Sequence, residues 1–100
     1  MVKKLVEHYG IPAQLDIMQE ECAELIKACS KVKRTAGIGY VTLASEQQAM
    51  SDLIEEMAHV KNTIMSTCYL LNIDEKVLDD EIRRSDGVSE QRLKDLGVDY

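Results

Sequence analysis

Helix-breaking residues are rare in this chain of 100 residues, and their scarcity constrains the fold more than any other feature. Pro12 is the one proline, and five glycines punctuate long segments rich in Glu, Lys, Leu, Met and Ala, which are good helix formers. A chain of this length is the size of one typical domain. The sequence therefore predicts a single all-α domain over residues 1–100.

Two long segments carry apolar residues at steps of three and four, which is the spacing of one buried helix face. The first covers residues 12–34, and Pro12 suits its first turn, where its missing N–H would have no helical partner. The second follows Ser45, a predicted N-cap, and extends to Leu71. Residues 35–42 are predicted to form the loop between them. The pattern predicts two long helices packed antiparallel in a helical bundle.

Shorter helices are predicted towards the C-terminal end. Asp74 suits the N-cap of a helix that extends to about Arg84, and Ser89 suits the cap of a last helix from Glu90 to Leu96. Two helices of roughly 35 Å leave more apolar surface than such short segments can cover. We therefore expect homo-oligomerisation, as a homodimer or homotetramer, to complete the bundle. A monomeric bundle of modest stability is the alternative.

Charge and cysteine content exclude several other classes of protein. The net charge of -6 argues against a binder of nucleic acid polymers, because a phosphate backbone attracts a basic face. No apolar run approaches the ~20 residues of a membrane span. Three cysteines without a CxxC pair fit neither a disulfide framework nor a zinc site. These features are typical of a cytoplasmic protein that does not contact membranes.

Carboxylates cluster on both long helices and are the candidate chemistry. The first helix carries Glu20, Glu21 and Glu24, and the second carries Glu55, Glu56 and His59. Residues three apart lie on one side of a helix, and here they flank the apolar face. Flanks of neighbouring helices can meet at a seam, where carboxylates repel unless a cation such as Mg²⁺ or Mn²⁺ lies between them. An ordinary solvated helix surface is the alternative interpretation.

A family resemblance follows from these acidic segments. The sequence QEECAEL at 19–25, followed some thirty residues later by IEEMAHV at 54–60, resembles the ExxE…ExxD signature of the MazG-like, all-α nucleoside triphosphate pyrophosphohydrolases. The opening EHYG at 7–10 also resembles short bacterial and phage-type members, and the resemblance spans about residues 5–84. It implies a helical bundle, usually a dimer or a pair of dimers. It also implies magnesium-dependent hydrolysis of nucleoside triphosphates to a monophosphate and pyrophosphate.

The resemblance assigns metal ligands one by one. Glu21 and Glu24 match the first motif and Glu56 matches the second, but His59 stands where the family has Asp. An imidazole supplies one nitrogen in place of a charged oxygen donor, so it suits Mn²⁺ better than Mg²⁺.

Three interpretations of His59 stay open. It ligates the ion with an altered metal preference, or it acts on a bound water while Asp52 or Glu55 replaces the missing ligand. In the third interpretation the site is degenerate and the protein is inactive.

The implied reaction also needs a base and a substrate pocket. Glu20 or Glu55 is the candidate to accept a proton from water, although both also suit plain exposed positions. Lys31, Arg34 and Arg84 are candidates for the phosphates. Tyr40 or Tyr69 is the candidate for stacking on the base, although both also suit packing positions. Basic residues near helix C-termini also have a simpler explanation, because they stabilise the helix dipole.

Three functions are compatible with these observations. The leading one is a metal-dependent nucleotide pyrophosphohydrolase that cleaves (d)NTP to (d)NMP and pyrophosphate. The second is a catalytically degenerate protein of the same fold that acts as a nucleotide-binding or regulatory module. The third is a plain helical dimerisation module in which the glutamates have no task.

Overall fold

The computed structural model describes residues 1–35 and 43–98, and they are almost entirely helical. Three helices follow one another along the chain: α1 (Lys3–Thr35), α2 (Leu43–Leu70) and α3 (Glu75–Asp95). The described residues contain no strand, so the all-α prediction is confirmed. None of the described helices is long and apolar enough to cross a membrane.

The long helix α1 is interrupted at Gly10. This residue has φ 79° and ψ -178°, a conformation that is essentially restricted to glycine because a Cβ atom would clash with the backbone. Helical structure resumes just before Pro12, so the proline lies in a first turn as the sequence predicted. The start of α1 at Lys3 was not predicted, because residues 3–9 lack a complete apolar stripe of their own.

The N-terminal segment of α1 is held against the end of α2. The Tyr69 hydroxyl donates a hydrogen bond to the Glu7 carboxylate, and the Lys3 ammonium lies 5.2 Å from the centre of the Tyr69 ring. The Glu7 hydrogen bond, burial and the charge of Glu7 raise the pKa of Tyr69. These contacts give Tyr69 a packing role.

α1 and α2 pack antiparallel, and their register is defined by buried residues. Gln14 Nε2 donates to the Thr63 carbonyl at 3.3 Å, and both side chains are buried. The same antiparallel register places Ala28 of α1 opposite Ala49 of α2, fourteen residues further along. These alanines are 6% and 0% exposed, and such small side chains let the two backbones approach closely. These contacts pair the start of α1 with the end of α2, so the two helices are antiparallel to each other.

The prediction of two short helices after Asp74 was wrong. α3 is continuous from Glu75 to Asp95 and passes through Gly87 and Ser89. Both residues are tolerated because flanking helix formers outweigh their weak propensities, and the Ser89 hydroxyl bonds back to the Ser85 carbonyl.

Two predicted helix boundaries have different outcomes. α2 begins at Leu43, before the predicted cap Ser45, so that residue lies in the first turn. The predicted N-cap of α3 is confirmed, since the Asp74 carboxylate accepts a hydrogen bond from the Lys76 N–H at 2.9 Å.

Local backbone geometry explains the turn between α2 and α3. Asn72 adopts a left-handed conformation with φ 53°, which asparagine tolerates better than most residues. The Ile73 N–H donates to the Cys68 carbonyl at 2.9 Å, and the Asn72 N–H donates to Tyr69. This is the Schellman pattern that ends a helix and satisfies its last carbonyls.

The folded chain leaves much of its apolar surface open. Within the described ranges, Ala28 and Ala49 are the buried apolar residues, and no large side chain is fully buried. α3 makes little contact with the other helices, and all of its residues except Leu93 are exposed. The radius of gyration is 17.8 Å, against ~13 Å for a compact domain of this length. Among the described residues, one copy of the chain therefore has a thin core, confined to the seam between α1 and α2.

Two glycine substitutions are expected to act in opposite directions. Gly10→Ala should destabilise the fold by about 1–3 kcal/mol, because alanine cannot adopt the Gly10 conformation without strain. Gly87→Ala should stabilise α3 by roughly 0.5–1 kcal/mol, because the added methyl meets nothing within 4 Å in a helix interior. Urea unfolding, monitored by the circular dichroism signal of the helices, measures both changes in stability. Equal effects of the two substitutions would contradict the break at Gly10.

Candidate metal centre

Two acids and one histidine meet at the seam between α1 and α2. Glu21, Glu56 and His59 each offer one ligand atom, and these atoms lie within 4.8 Å of one another. His59 Nδ1 is 3.3 Å from Glu21 Oε2 and 3.7 Å from Glu56 Oε2. Three of the four residues predicted as metal ligands are therefore brought together.

The helix register explains why these side chains converge. Glu21 lies seven residues after Gln14, and Glu56 lies seven residues before Thr63, so the two glutamates face each other two turns from that hydrogen bond. His59 is one turn beyond Glu56 on the same side of α2. The seam thus forces the carboxylates of two helices into proximity.

Glu56 occupies the least favourable position of the three for a charged group. Its side chain is 20% exposed, and Oε2 is a buried oxygen with no hydrogen-bond partner among the described residues. Burial raises the pKa of Glu56 above its usual range, and the neighbouring Glu21 carboxyl raises it further. The charge of His59 lowers it in part. Such an oxygen has unused capacity for a cation or a proton.

Glu24, the fourth predicted ligand, lies outside this cluster. Its side chain is half exposed and pairs with Lys27 at 3.3 Å, one turn along α1. Glu24 nevertheless lines a groove of about 200 Å³ that begins beside Glu56. Its role as a metal ligand stays a prediction.

The groove joins the acidic cluster to a basic side chain. Its walls come from both helices: Glu24, Lys27, Ala28, Lys31, Asp52, Glu55 and Glu56. Lys31 Nζ donates to Asp52 Oδ2 at 2.8 Å, and Gln48 Nε2 donates to Asp52 Oδ1 at 2.8 Å. These hydrogen bonds, Lys31 first, lower the pKa of Asp52. Asp52 therefore holds Lys31 at the groove, and its oxygens are already engaged by donors.

The other predicted site residues have varied positions. Glu55 lines the groove, with Oε1 3.9 Å from His59 Nε2, whereas Glu20 is exposed outside it. Arg34 is exposed in the last turn of α1, and Arg84 is ion-paired with Glu81 on α3. Tyr40 lies outside the described residues. The roles predicted for these five residues stay predictions.

Sequence reasoning overlooked the contact chain from Gln48 through Asp52 to Lys31. Gln48 and Asp52 are four residues apart on α2, so their contact is readable from the spacing. The pairing of Asp52 with Lys31 depends on the register between the helices, which the spacing within one helix does not give.

Comparisons with known proteins give no relative. No protein-family model matches the chain, and no curated protein or solved structure matches it.

The ion pair of Asp52 predicts a pH-dependent stability. Asp52→Asn should lower the urea midpoint at pH 7, because the folded state favours the ionised carboxylate beside Lys31. The lowered pKa means that this stabilisation is present above the ordinary value of 3.8 and is lost as pH falls through the folded value. The two midpoints should therefore converge as pH falls below the folded pKa, which lies under 3.8.

A matched substitution tests the same explanation. Asp16→Asn removes an exposed carboxylate of α1, and it should change the urea midpoint little at either pH. A gap between wild type and Asp52→Asn that is as wide at low pH as at pH 7 would contradict the ion-pair explanation.

Proposed function

We propose that this protein is a metal-dependent nucleotide pyrophosphohydrolase that cleaves (d)NTP to (d)NMP and pyrophosphate. The proposal includes Mg²⁺ or Mn²⁺ as cofactor, a cytoplasmic location and a homodimer or homotetramer as the working form. The observation that carries it is the buried Glu56 oxygen, which has no hydrogen-bond donor within residues 1–35 and 43–98. The order of the acidic segments, which resembles the MazG-like signature, supports the same function.

The donor set fits a divalent cation. Glu21 and Glu56 supply hard oxygen donors, and His59 supplies one nitrogen. Mn²⁺ accepts such a mixture more readily than Mg²⁺, which prefers oxygen and retains several waters. We therefore propose Glu21, Glu56 and His59 as the ligands, with Glu24 one turn away as a fourth. When bound, the ion would lower the pKa of a water molecule and neutralise phosphate charge.

The groove residues have separate tasks in this proposal. A volume of about 200 Å³ suits part of a phosphate chain better than a whole nucleotide. Lys31, held by Asp52, binds the outer phosphates and offsets the charge that develops on the leaving pyrophosphate. Glu55, on the groove wall, accepts the proton of the water that attacks the α phosphorus. The bond from that phosphorus to the bridging oxygen then breaks, and pyrophosphate leaves.

One observation favours the alternative of a non-catalytic nucleotide-binding or regulatory module. His59 lies close enough to Glu21 and Glu56 to offset their repulsion when it is protonated. A family Asp at this position would add a third negative charge and make a cation more necessary. The histidine thus allows the cluster to exist without an ion, and this is expected of a degenerate site.

Metal binding predicts a change in thermal stability. Mn²⁺ at about a hundred times its Kd should raise the Tm of the wild type by several degrees, because the ion binds the folded state alone. Glu56→Gln should raise the Tm without metal, since it removes a buried charge, and should abolish the response to Mn²⁺. Glu90→Gln on α3 is the matched control and should respond as the wild type does. An equal Mn²⁺ response in Glu56→Gln would contradict the proposed ligand.

Catalysis predicts release of pyrophosphate from at least one of the canonical NTPs or dNTPs. Glu21→Gln and Glu56→Gln should each lower the rate by at least about a hundredfold, beyond the usual cost of removing an outer-shell partner. His59→Asp should raise the rate with Mg²⁺ relative to the rate with Mn²⁺, because it restores an oxygen donor. Glu90→Gln should leave both rates unchanged.

Failure of this assay has a defined meaning. Absence of pyrophosphate release from wild type and from His59→Asp, with either metal and every canonical nucleotide, would exclude the enzyme. Nucleotide binding measured by calorimetry under the same conditions would then support the non-catalytic module. Absence of binding would leave the dimerisation module.

A further inference from the structure

The first residues of α1 are joined to the rest of that helix through a non-helical residue. We define the N-terminal arm as residues 3–9. Gly10 follows the arm with φ 79° and ψ -178°, so the helical conformation stops and restarts there. A Cβ atom at Gly10 would meet none of the described residues within 4 Å, so close packing does not explain the glycine. Torsion changes at one such residue are sufficient to turn a short helix, and Gly10 therefore has the properties of a hinge.

Packing holds the N-terminal arm only weakly. Leu5 is 53% exposed and Tyr9 is 62% exposed, and every other residue of the arm except Val6 is exposed as well. A segment that buries so little apolar surface opens at a free-energy cost well below that of unfolding the whole chain. The position of the arm therefore depends on its polar contacts.

Two polar contacts fasten the arm to one residue of α2. The Tyr69 hydroxyl donates to the Glu7 carboxylate, and the Lys3 ammonium lies 5.2 Å from the centre of the same ring. A hydrogen bond to a charged acceptor is stronger than one between neutral groups, and a cation is attracted to the face of an aromatic ring. Lys3 and Glu7 are one helical turn apart, so a single side of the arm supplies both contacts. Tyr69 is thus a latch for the arm.

The latch lies at the edge of a large cavity between α2 and α3. This cavity of about 750 Å³ is bordered by Met1 and Lys3 at the start of the chain, by Cys68 and Tyr69 of α2, and by Leu78 of α3. Its volume is within the range of pockets that hold small molecules, and most of the residues around it are apolar. The latched arm therefore forms part of the cavity wall, and movement of the arm would remove that part.

We propose that the N-terminal arm is a gate of this cavity, hinged at Gly10 and latched by Tyr69. In the latched state the start of the chain closes one side of the cavity. In the open state the arm has turned away from Tyr69, and small solutes enter from that side. The gate is independent of the proposed metal centre, because Tyr69 lies about 20 Å along α2 from Glu56 at ~1.5 Å of rise per residue.

The thiol of Cys68 reports the state of the gate, because it borders the cavity and a reagent must enter to reach it. In a parent chain that carries Cys22→Ala and Cys29→Ala, Cys68 is the remaining cysteine. The probe is dithionitrobenzoate, which forms a mixed disulfide with the thiolate and releases coloured thionitrobenzoate. When the gate opens and closes faster than the thiol reacts, the labelling rate is proportional to the open population.

Variants without the latch should speed the labelling of Cys68. Tyr69→Phe removes the hydroxyl but keeps the ring, and Glu7→Ala removes the acceptor, so each should raise the rate at least about threefold. Both variants remove the same hydrogen bond, and the double variant should therefore label no faster than the faster single variant. Tyr9→Phe removes an exposed hydroxyl of the arm and should leave the rate unchanged.

A second parent chain separates opening of the gate from loosening of the whole helix pair. It keeps Cys22 and carries Cys29→Ala and Cys68→Ala. Cys22 is half-buried on α1 beyond the hinge, so Tyr69→Phe should not change its labelling rate.

Three results would overturn the proposed gate. The first is an equal Cys68 rate in the parent chain, in Tyr69→Phe and in Glu7→Ala. The second is a rise in the Cys22 rate as large as that of Cys68, because the whole helix pair would then have loosened. The third is a double variant in which the two single effects multiply, because the two residues would then act separately and not through one latch.

Discussion

The close antiparallel approach of α1 and α2 is the constraint on which the rest of the structure depends. Alanines on both helices remove steric bulk, and the buried hydrogen bond from Gln14 to the Thr63 carbonyl defines the register. Slipping one helix by a turn would break that bond and leave a buried amide unpaired. The same register brings Glu21 opposite Glu56. The acidic cluster is thus a consequence of packing that is set two helical turns away.

The packed pair of α1 and α2 has one charged face and one apolar face. Charged residues are gathered on one side, where Lys31 and Asp52 lie beside the carboxylates. Apolar residues are gathered on the other side, where Leu15, Ile26, Ile54 and Met57 are 42% to 67% exposed in a single copy. The helix pair thus separates the charged groove from the open apolar side chains.

The sequence predicted the helices well because their signals are local. Steps of three and four, a capping aspartate at Asp74 and the scarcity of helix breakers all operate within one segment. Errors arose where a weak breaker met a strong helical context, as at Gly87. The start of α1 at Lys3 was missed because that segment is held by a contact with Tyr69, at the far end of α2.

The candidate site was only partly predictable, because it depends on contacts between helices as well as on spacing within each helix. Spacing within a helix placed Glu56 and His59 on one side, and it placed Glu21 on a flank that could meet them. Spacing could not tell that Glu21 joins the cluster and Glu24 does not, because that difference depends on the register between helices. The pairing of Lys31 with Asp52 is likewise a product of tertiary packing.

The backbone break at Gly10 gives the first residues of the chain an independence that a continuous helix would deny them. The helical backbone conformation of α1 is interrupted there, so residues 3–9 can detach without unwinding the helix that follows. They are tied down through Tyr69, and Met1 and Lys3 border the large cavity beside α3. Transient release of this short arm would widen the entrance to that cavity while leaving the acidic cluster in place.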